Sequence, residues 1–529
     1  MAKDLPESES KSKIDFSSWL VLGVVMVATL TTTMMMNSEH ERDDLSKING
    51  TINTDNGDEG INWGRYSTTD IKLNQSVEIT QSGVYHLTGT LSDGGVSINV
   101  GKEGEVKLIL DNVSVTNSSG PAIACYSADD LAIELVGENS IEDGESYLAN
   151  LDEDVKGALY SKADLTFSGN GELTINAHYE DGIISKDDLK FIDGTYKITA
   201  KDDAIRGKDS VYIKNGTFIV EAGADAIKST NETDNGKGFV LIENGDFNLT
   251  ASAKGIKAIN SILIYSGNFD ITSHDDAIHS NNYIGIIDGD IEIASGDDGV
   301  HADRELIIDG GSISIAKSYE GLEAQKVTIN NGEITITASD DGINAGGGRD
   351  CSANNRPGAG AFDADENCAI TINGGEILVD ASGDGLDSNG AIYFNGGSTT
   401  INGPTNNGNG ALDAGLAAYI FGGEVIAVGS SGMAVSLAQE SSIPSLCIYF
   451  SSTYQAGATI TIKDSANKTI LSHTATKVFS HATIGSDEFN LGETYSIYID
   501  GSLYQTVTLS NTTTVLGRNN QGPNNNFRK

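Results

Sequence analysis

From about residue 178 to residue 435 the apolar residues fall into short runs that alternate with polar ones and restart every 21 to 22 residues. One unit begins at Asp181. It reads as a short strand around Ile183 and Ile184, a second over 189–192, a bend at Asp193 and Gly194, and a third strand from Tyr196 to Ile198. An acidic, small, aliphatic step marks each restart: Asp203-Ala204-Ile205, Asp225-Ala226-Ile227, Asp276-Ala277-Ile278, Asp298-Gly299-Val300, Glu320-Gly321-Leu322 and Asp341-Gly342-Ile343. The bend glycine recurs as Gly194, Gly216, Gly245, Gly267, Gly289, Gly311, Gly332, Gly375, Gly397 and Gly423. A period this short excludes propeller blades of about 40 residues, and the leucine-rich signature is missing. The pattern predicts an all-β chain built as a parallel β-helix, a solenoid of about 22 residues per coil.

Longer steps mark insertions, one at 231–237 and a larger one at about 346–367. Before the regular section, residues 63–177 carry strand-length apolar runs such as 106–110 and 131–135, which read as an N-terminal cap and first coils. After it, 436–516 loses the period. Its runs at 446–450, 459–462 and 495–499, with a turn at Asp500-Gly501, predict a small C-terminal antiparallel β domain that covers the open end of the solenoid. Residues 517–529 form a polar tail.

The N-terminus differs from all of this. Residues 1–18 carry Lys3, Lys11 and Lys13, and an uncharged apolar run follows over 19–36. That run is just long enough to cross a bilayer and has no clear cleavage site, so it reads as a transmembrane anchor with a cytoplasmic N-terminus. Residues 37–62 form an acidic flexible linker. The expected location is the extracellular side of the cell membrane, or secretion if the segment is cleaved.

The net charge of −42, from 33 basic against 75 acidic residues, makes attraction to nucleic acid unfavourable. It also changes the meaning of the repeat. Stacked one coil apart, the acids form a ladder of Asp181, Asp203, Asp225, Lys254, Asp276, Asp298, Glu320, Asp341 and Asp384. Two like charges about 5 Å apart repel by roughly 3 kcal/mol at an effective dielectric near 20. Cations, protonation or interleaved basic side chains must offset this. Clustered Asp suits Ca2+, with Asp202, Asp203 and Asp225 as one candidate set and Asp275, Asp276, Asp297, Asp298 and Asp303 as another. Asp340, Asp341, Asp384 and Asp387 extend the ladder. The competing reading is that these acids only cap backbone amides at the solenoid corners.

Three residues after each acid runs a second ladder: Ile184, Arg206, Lys228, Lys257, His279, His301, Glu323, Asn344 and Asp387. His279 and His301 beside Asp276 and Asp298 suggest either a transition-metal site or a stacked pair held by the acids. Lys162, Lys186 and Lys208 occupy matching places. With Arg206 and Lys228 they are candidates to grip a polysaccharide, as are His279 and His301, or simply partners of nearby acids. Lys254 and Lys257 are the candidate bases for a Ca2+-dependent elimination on uronates, although Lys254 equally relieves repulsion in the ladder. Aromatic residues are sparse, and Tyr179, Tyr265, Tyr283 and Tyr319 do not share a ladder. Cys351 and Cys368 bracket the larger insertion, as a pair or as free thiols.

The stretches Lys186-Asp187-Asp188-Leu189, Asp202-Asp203-Ala204-Ile205-Arg206-Gly207-Lys208-Asp209-Ser210 and Ala224-Asp225-Ala226-Ile227-Lys228-Ser229-Thr230 resemble the carbohydrate-binding domain family of Gram-positive bacteria. Gly83-Val84-Tyr85-His86-Leu87-Thr88-Gly89 resembles its opening coils, and Gly492-Glu493-Thr494-Tyr495 its terminal strands. The likeness runs from about 66 to 516, and the Arg206-Gly207-Lys208-Asp209 step is its most specific part. It implies a right-handed, pectate-lyase-like β-helix, bound Ca2+, and binding of cellulose or acidic pectic glycan without established catalysis. By motif it carries over to Asp202, Asp203, Arg206, Lys208, Asp209, Asp225 and Lys228. Lys254, Glu320 and the alanines after Asp203, Asp225 and Asp276 depart from the Asp-Gly form. The expected protein is a monomeric, membrane-anchored polysaccharide-binding module. A polyuronate lyase and a surface adhesin or spacer are the alternatives.

Overall fold

The computed structural model describes residues 60–149, 151–346 and 364–517. The apolar segment at 19–36, most of the acidic linker, most of the larger insertion with Cys351, and the end of the tail lie outside them, as does the proposed pairing of Cys351 with Cys368. Among the described residues no helix is long and apolar enough to cross a membrane.

Period-two alternation dictates the coil. In the strand Thr217–Ala222 the side chains of Phe218, Val220 and Ala222 point inward, while Ile219 and Glu221 face out. Ile205–Gly207, Ser210–Ile213 and Thr217–Ala222 make one coil. Each pairs in parallel with its counterpart in the next, Ile227–Ser229, Phe239–Ile242 and Asp246–Ala251. The result is a parallel β-helix of about 15 turns. Ile205 stands against Ile227, and Ile227 against Ile256, so the insertion at 231–237 is looped out without loss of register.

Inside, like side chains stack. The rings of Tyr196, Phe218, Phe247 and Phe269 lie in one row, with successive centroids 5.0, 5.0 and 4.5 Å apart. All ten bend glycines have positive φ. At Gly245, with φ of +146°, a Cβ would also stand 2.9 Å from the Gly216 carbonyl oxygen of the coil before, so no other residue fits that bend.

At the C-terminal end the last solenoid strand, Glu424–Gly429, pairs in parallel with Ser398–Asn402 and antiparallel with Phe479–Ser486. Its sheet edge is thereby covered. A separate four-stranded antiparallel sheet follows, of Thr459–Lys463, Thr469–Thr474, Thr494–Ile499 and Ser502–Thr508. The hairpin bend at Asp500 and Gly501 has positive φ at both residues, as a two-residue type I′ turn requires.

Candidate functional site

The short strands that follow each acid form one face of the solenoid, and their register places the residues of the second ladder side by side. Arg206 stands against Lys228, then come Lys257, His279, His301, Glu323, Asn344, Asp387 and Asp413. At a strand spacing of about 4.8 Å, the seven steps from Arg206 to Asp387 span about 34 Å. Charge along this row passes from cationic through imidazole to anionic.

The acids beside the row are held by the backbone. Asp181 accepts the N–H of Asp203 at 3.1 Å, Asp203 that of Asp225 at 3.1 Å, Asp276 that of Asp298 at 3.1 Å, and Asp298 that of Glu320 at 3.1 Å, each through Oδ1. The amide-capping reading therefore accounts for one oxygen of each acid. The small residue after the acid is required by packing: a Cβ on Gly342 would lie 2.2 Å from Val379 Cγ1 and 2.5 Å from the Gly385 carbonyl oxygen. The second oxygen, Oδ2, faces the neighbouring row.

What meets that oxygen changes along the solenoid. Arg206 Nη1 lies 3.4 Å from Asp181. Lys228 Nζ lies between Asp203 at 3.1 Å and Asp225 at 2.7 Å. Burial alone would raise the Asp225 pKa, but Lys228, the Lys254 amide and Lys257 together hold it below the usual carboxylate range. Around Asp225 an interleaved lysine therefore balances the charge, whereas burial and Asp203 push Asp181 up to about 7 despite Arg206. Asp202, Asp203 and Asp225 do not converge on one point among the described residues.

Lys254 cannot accept an amide, so Asp276 turns its N–H to Asp275 instead, at 3.0 Å. The Lys254 ammonium lies 2.8 Å from Asp275 and 2.5 Å from Asp276. Burial would lower its pKa, yet these two carboxylates outweigh burial and hold it above the ordinary lysine value. An amine held this way is a poor proton acceptor. Asp275, Asp276 and Asp297 nevertheless bring three carboxylate oxygens within 4.8 Å of one another.

The histidines come next. His279 Nδ1 pairs with Asp276 at 2.8 Å and its Nε2 with Asn281 at 3.1 Å, and its ring meets that of His301 edge-on at 4.9 Å. His301 is fully buried, with Nδ1 3.3 Å from Asp298 and 3.1 Å from Glu323, and Nε2 3.5 Å from Asp303. Burial works against its charged form, but Asp298, Asp303 and Glu323 push its pKa up to about 11.

At the far end the basic offset is gone. Asp341, Asp384 and Asp387 converge within 4.8 Å. Burial, then mutual repulsion, pushes Asp341 up to about 9 and Asp387 up to about 8. Burial likewise pushes Asp384 up to about 7. Three carboxylates of this kind are a donor set for a hard divalent cation. Asp340 lies beside them and raises Tyr319 through a hydrogen bond.

At the basic end Lys186, Arg206, Lys208, Lys228 and Lys257, with Thr230 and one acid, Glu232, line a groove of about 420 Å³. Lys186 is 3.3 Å from Asp154 and Lys208 is 3.6 Å from Asp209, while Lys257 makes no ion pair among the described residues. Lys162 points away to Asp152, at 3.2 Å. Asp164, Asp187 and Asp188, which lie outside the predicted acid ladder, form a third acidic cluster on the neighbouring face. Burial and then Asp187 push Asp164 up to about 7. The signal was present: Asp164 and Asp188 each lie two residues after a lysine of the Lys162, Lys186, Lys208 ladder.

A family model described as carbohydrate-binding domain-containing protein matches residues 73–352 and 264–410. A protein of that description from Acetivibrio thermocellus is 38% identical over 130 residues, which is 24% of this chain and 46% of the relative. The chain thus spans about half the length of the curated relative it matches. Among solved structures, the polysaccharide lyase-like protein from C. thermocellum, a gadolinium derivative, is 29% identical and is matched over 47% of this chain and 97% of that one, with a TM-score of 0.38. With the family model extending over most of the solenoid, the chain belongs to the carbohydrate-binding domain-containing protein family.

Proposed function

We propose that this protein is a non-catalytic, membrane-anchored module on the extracellular side of the cell that binds polysaccharide, preferentially an acidic pectic glycan over cellulose, with Ca2+ held on the same face. The observation that carries the reading is the groove of Lys186, Arg206, Lys208, Lys228 and Lys257 in a chain of net charge −42. Local basic clustering against so strong a global charge suits a ligand that presents carboxylates to these side chains. The name of the A. thermocellus relative, a carbohydrate-binding domain-containing protein, agrees with this.

Calcium belongs at the other end of the row. Asp341, Asp384 and Asp387 offer only oxygen donors, and Ca2+ bound there would discharge three acids that otherwise repel one another. The apolar segment at 19–36 supports anchoring. The C-terminal domain covers the last sheet edge, which supports a monomer.

The test is retention of the chain from residue 60 onward on polygalacturonate and on cellulose, with Ca2+ and with chelator, while ultraviolet absorbance is followed for unsaturated uronides. Retention on polygalacturonate without absorbing product is the expected result. Product formation would favour a lyase, and no retention on either glycan would favour an adhesin or spacer.

A further inference from the structure

His301 is a full-length polar side chain with no exposed surface, and neither of its ring nitrogens makes a hydrogen bond. Oxygens are nevertheless close. Asp298 and Glu323 lie 3.3 and 3.1 Å from Nδ1, near enough for a hydrogen bond but off its direction. This combination is what neighbouring ligands of a metal show. Around a tetrahedral ion with bonds of about 2.0–2.1 Å, adjacent donor atoms stand about 3.3 Å apart, each to one side of the other's lone-pair axis.

The surroundings fit the same geometry. Asp298 Oδ1 is fixed by the Glu320 amide at 3.1 Å, which leaves Oδ2 for the imidazole side. His301 Nε2 faces Asp303 at 3.5 Å, the place of the outer carboxylate that orients a metal-bound histidine. Asp276, 3.9 Å from Nδ1, is already engaged by Lys254 and His279. The three remaining ligand atoms are buried and converge within 4.8 Å.

We propose that His301, Asp298 and Glu323 form a buried site for a borderline-soft divalent metal of the zinc class, separate from the all-oxygen cluster of Asp341, Asp384 and Asp387. One neutral imidazole and two carboxylates balance a dication without added protons, and a nitrogen donor selects against Ca2+. The fourth position falls to water.

The experiment is a Zn2+ titration of the full chain, by calorimetry, in the presence of millimolar Ca2+. The expected result is one tight site that Ca2+ does not displace. His301→Gln should weaken it by about a hundredfold or more, while Asp387→Asn leaves it unchanged. Because His301→Gln in a buried position can unfold the coil, zinc-edge X-ray absorption on the unmodified chain provides a second readout. It should show outer-shell scattering from one imidazole and oxygens at about 2.0–2.2 Å. Zn2+ that is displaced by Ca2+, an all-oxygen shell, or equal binding by a folded His301→Gln protein would each overturn the proposal and leave His301 as a protonated ion-pair partner of the two acids.

Discussion

Lys228 reaches back one coil to Asp203, with Nζ 3.1 Å from Oδ2, while the Asp203 Oδ1 caps the amide of Asp225 at 3.1 Å. One aspartate thereby joins its own coil to the next through backbone and side chain together. Removing one partner of a buried ion pair leaves an uncompensated charge, at a cost of about 3–5 kcal/mol when burial is complete. Lys228 is partly exposed, so Lys228→Met should cost about 2–3 kcal/mol, read as a fall in the urea midpoint. In Lys228→Met/Asp203→Asn the two losses should sum to less than the separate values.

The acid end makes a pH prediction. Asp341, Asp384 and Asp387 have folded-state pKa values raised to about 9, 7 and 8 by burial and mutual repulsion, above their ordinary value near 3.8. Raised acids bind protons more tightly when folded, so the stability they contribute is present at low pH and is lost as pH rises through the folded values. In chelator the melting temperature should fall between about pH 4 and pH 9. Millimolar Ca2+ should flatten that fall, and Asp387→Asn should reduce both effects. A melting temperature that climbs with pH in chelator would reverse the sign.

Gly342 tests the packing rule behind the acidic, small, aliphatic step. Its Cβ would enter both Val379 and the Gly385 carbonyl, so Gly342→Ala should destabilise by about 1–3 kcal/mol in a denaturant titration. It should also disturb Asp341 and with it Ca2+ affinity. Ala226, buried at the same step in its own coil, shows that the requirement depends on local spacing, and Ala226→Gly should cost only about 1 kcal/mol.

Lys208 and Lys257 line the groove without deep ion pairing. Replacing each with Ala should weaken polygalacturonate binding by roughly 0.5–1 kcal/mol, with little change in melting temperature, and the loss should shrink at high salt.

Much of this was legible because the coil is periodic. A side chain one period on must stack on its predecessor, so the row from Arg206 to Asp387 followed from spacing alone, and so did the bends at Gly216 and Gly245. What offsets the charge was not legible. Asp203 and Asp298 stand in identical places in the repeat, yet one meets Lys228 and the other His301 and Glu323, and those contacts depend on how far each side chain reaches. The aromatic row of Tyr196, Phe218, Phe247 and Phe269 lies in the interior, where its rings pack the core and offer no exposed platform to a sugar. Asp164 and Asp188 cluster across a corner that the main ladder does not cross.

On the proposed reading the basic groove takes an acidic glycan on a face completed by Ca2+. Its most direct test is a calorimetric titration of the chain from residue 60 onward with polygalacturonate, at low and high salt, with Ca2+ and with chelator. The expected result is saturable binding that weakens with salt, weakens further in chelator, and is reduced in Lys208→Ala/Lys257→Ala. Binding of a neutral glucan with equal affinity, indifferent to salt, chelator and both lysines, would contradict it.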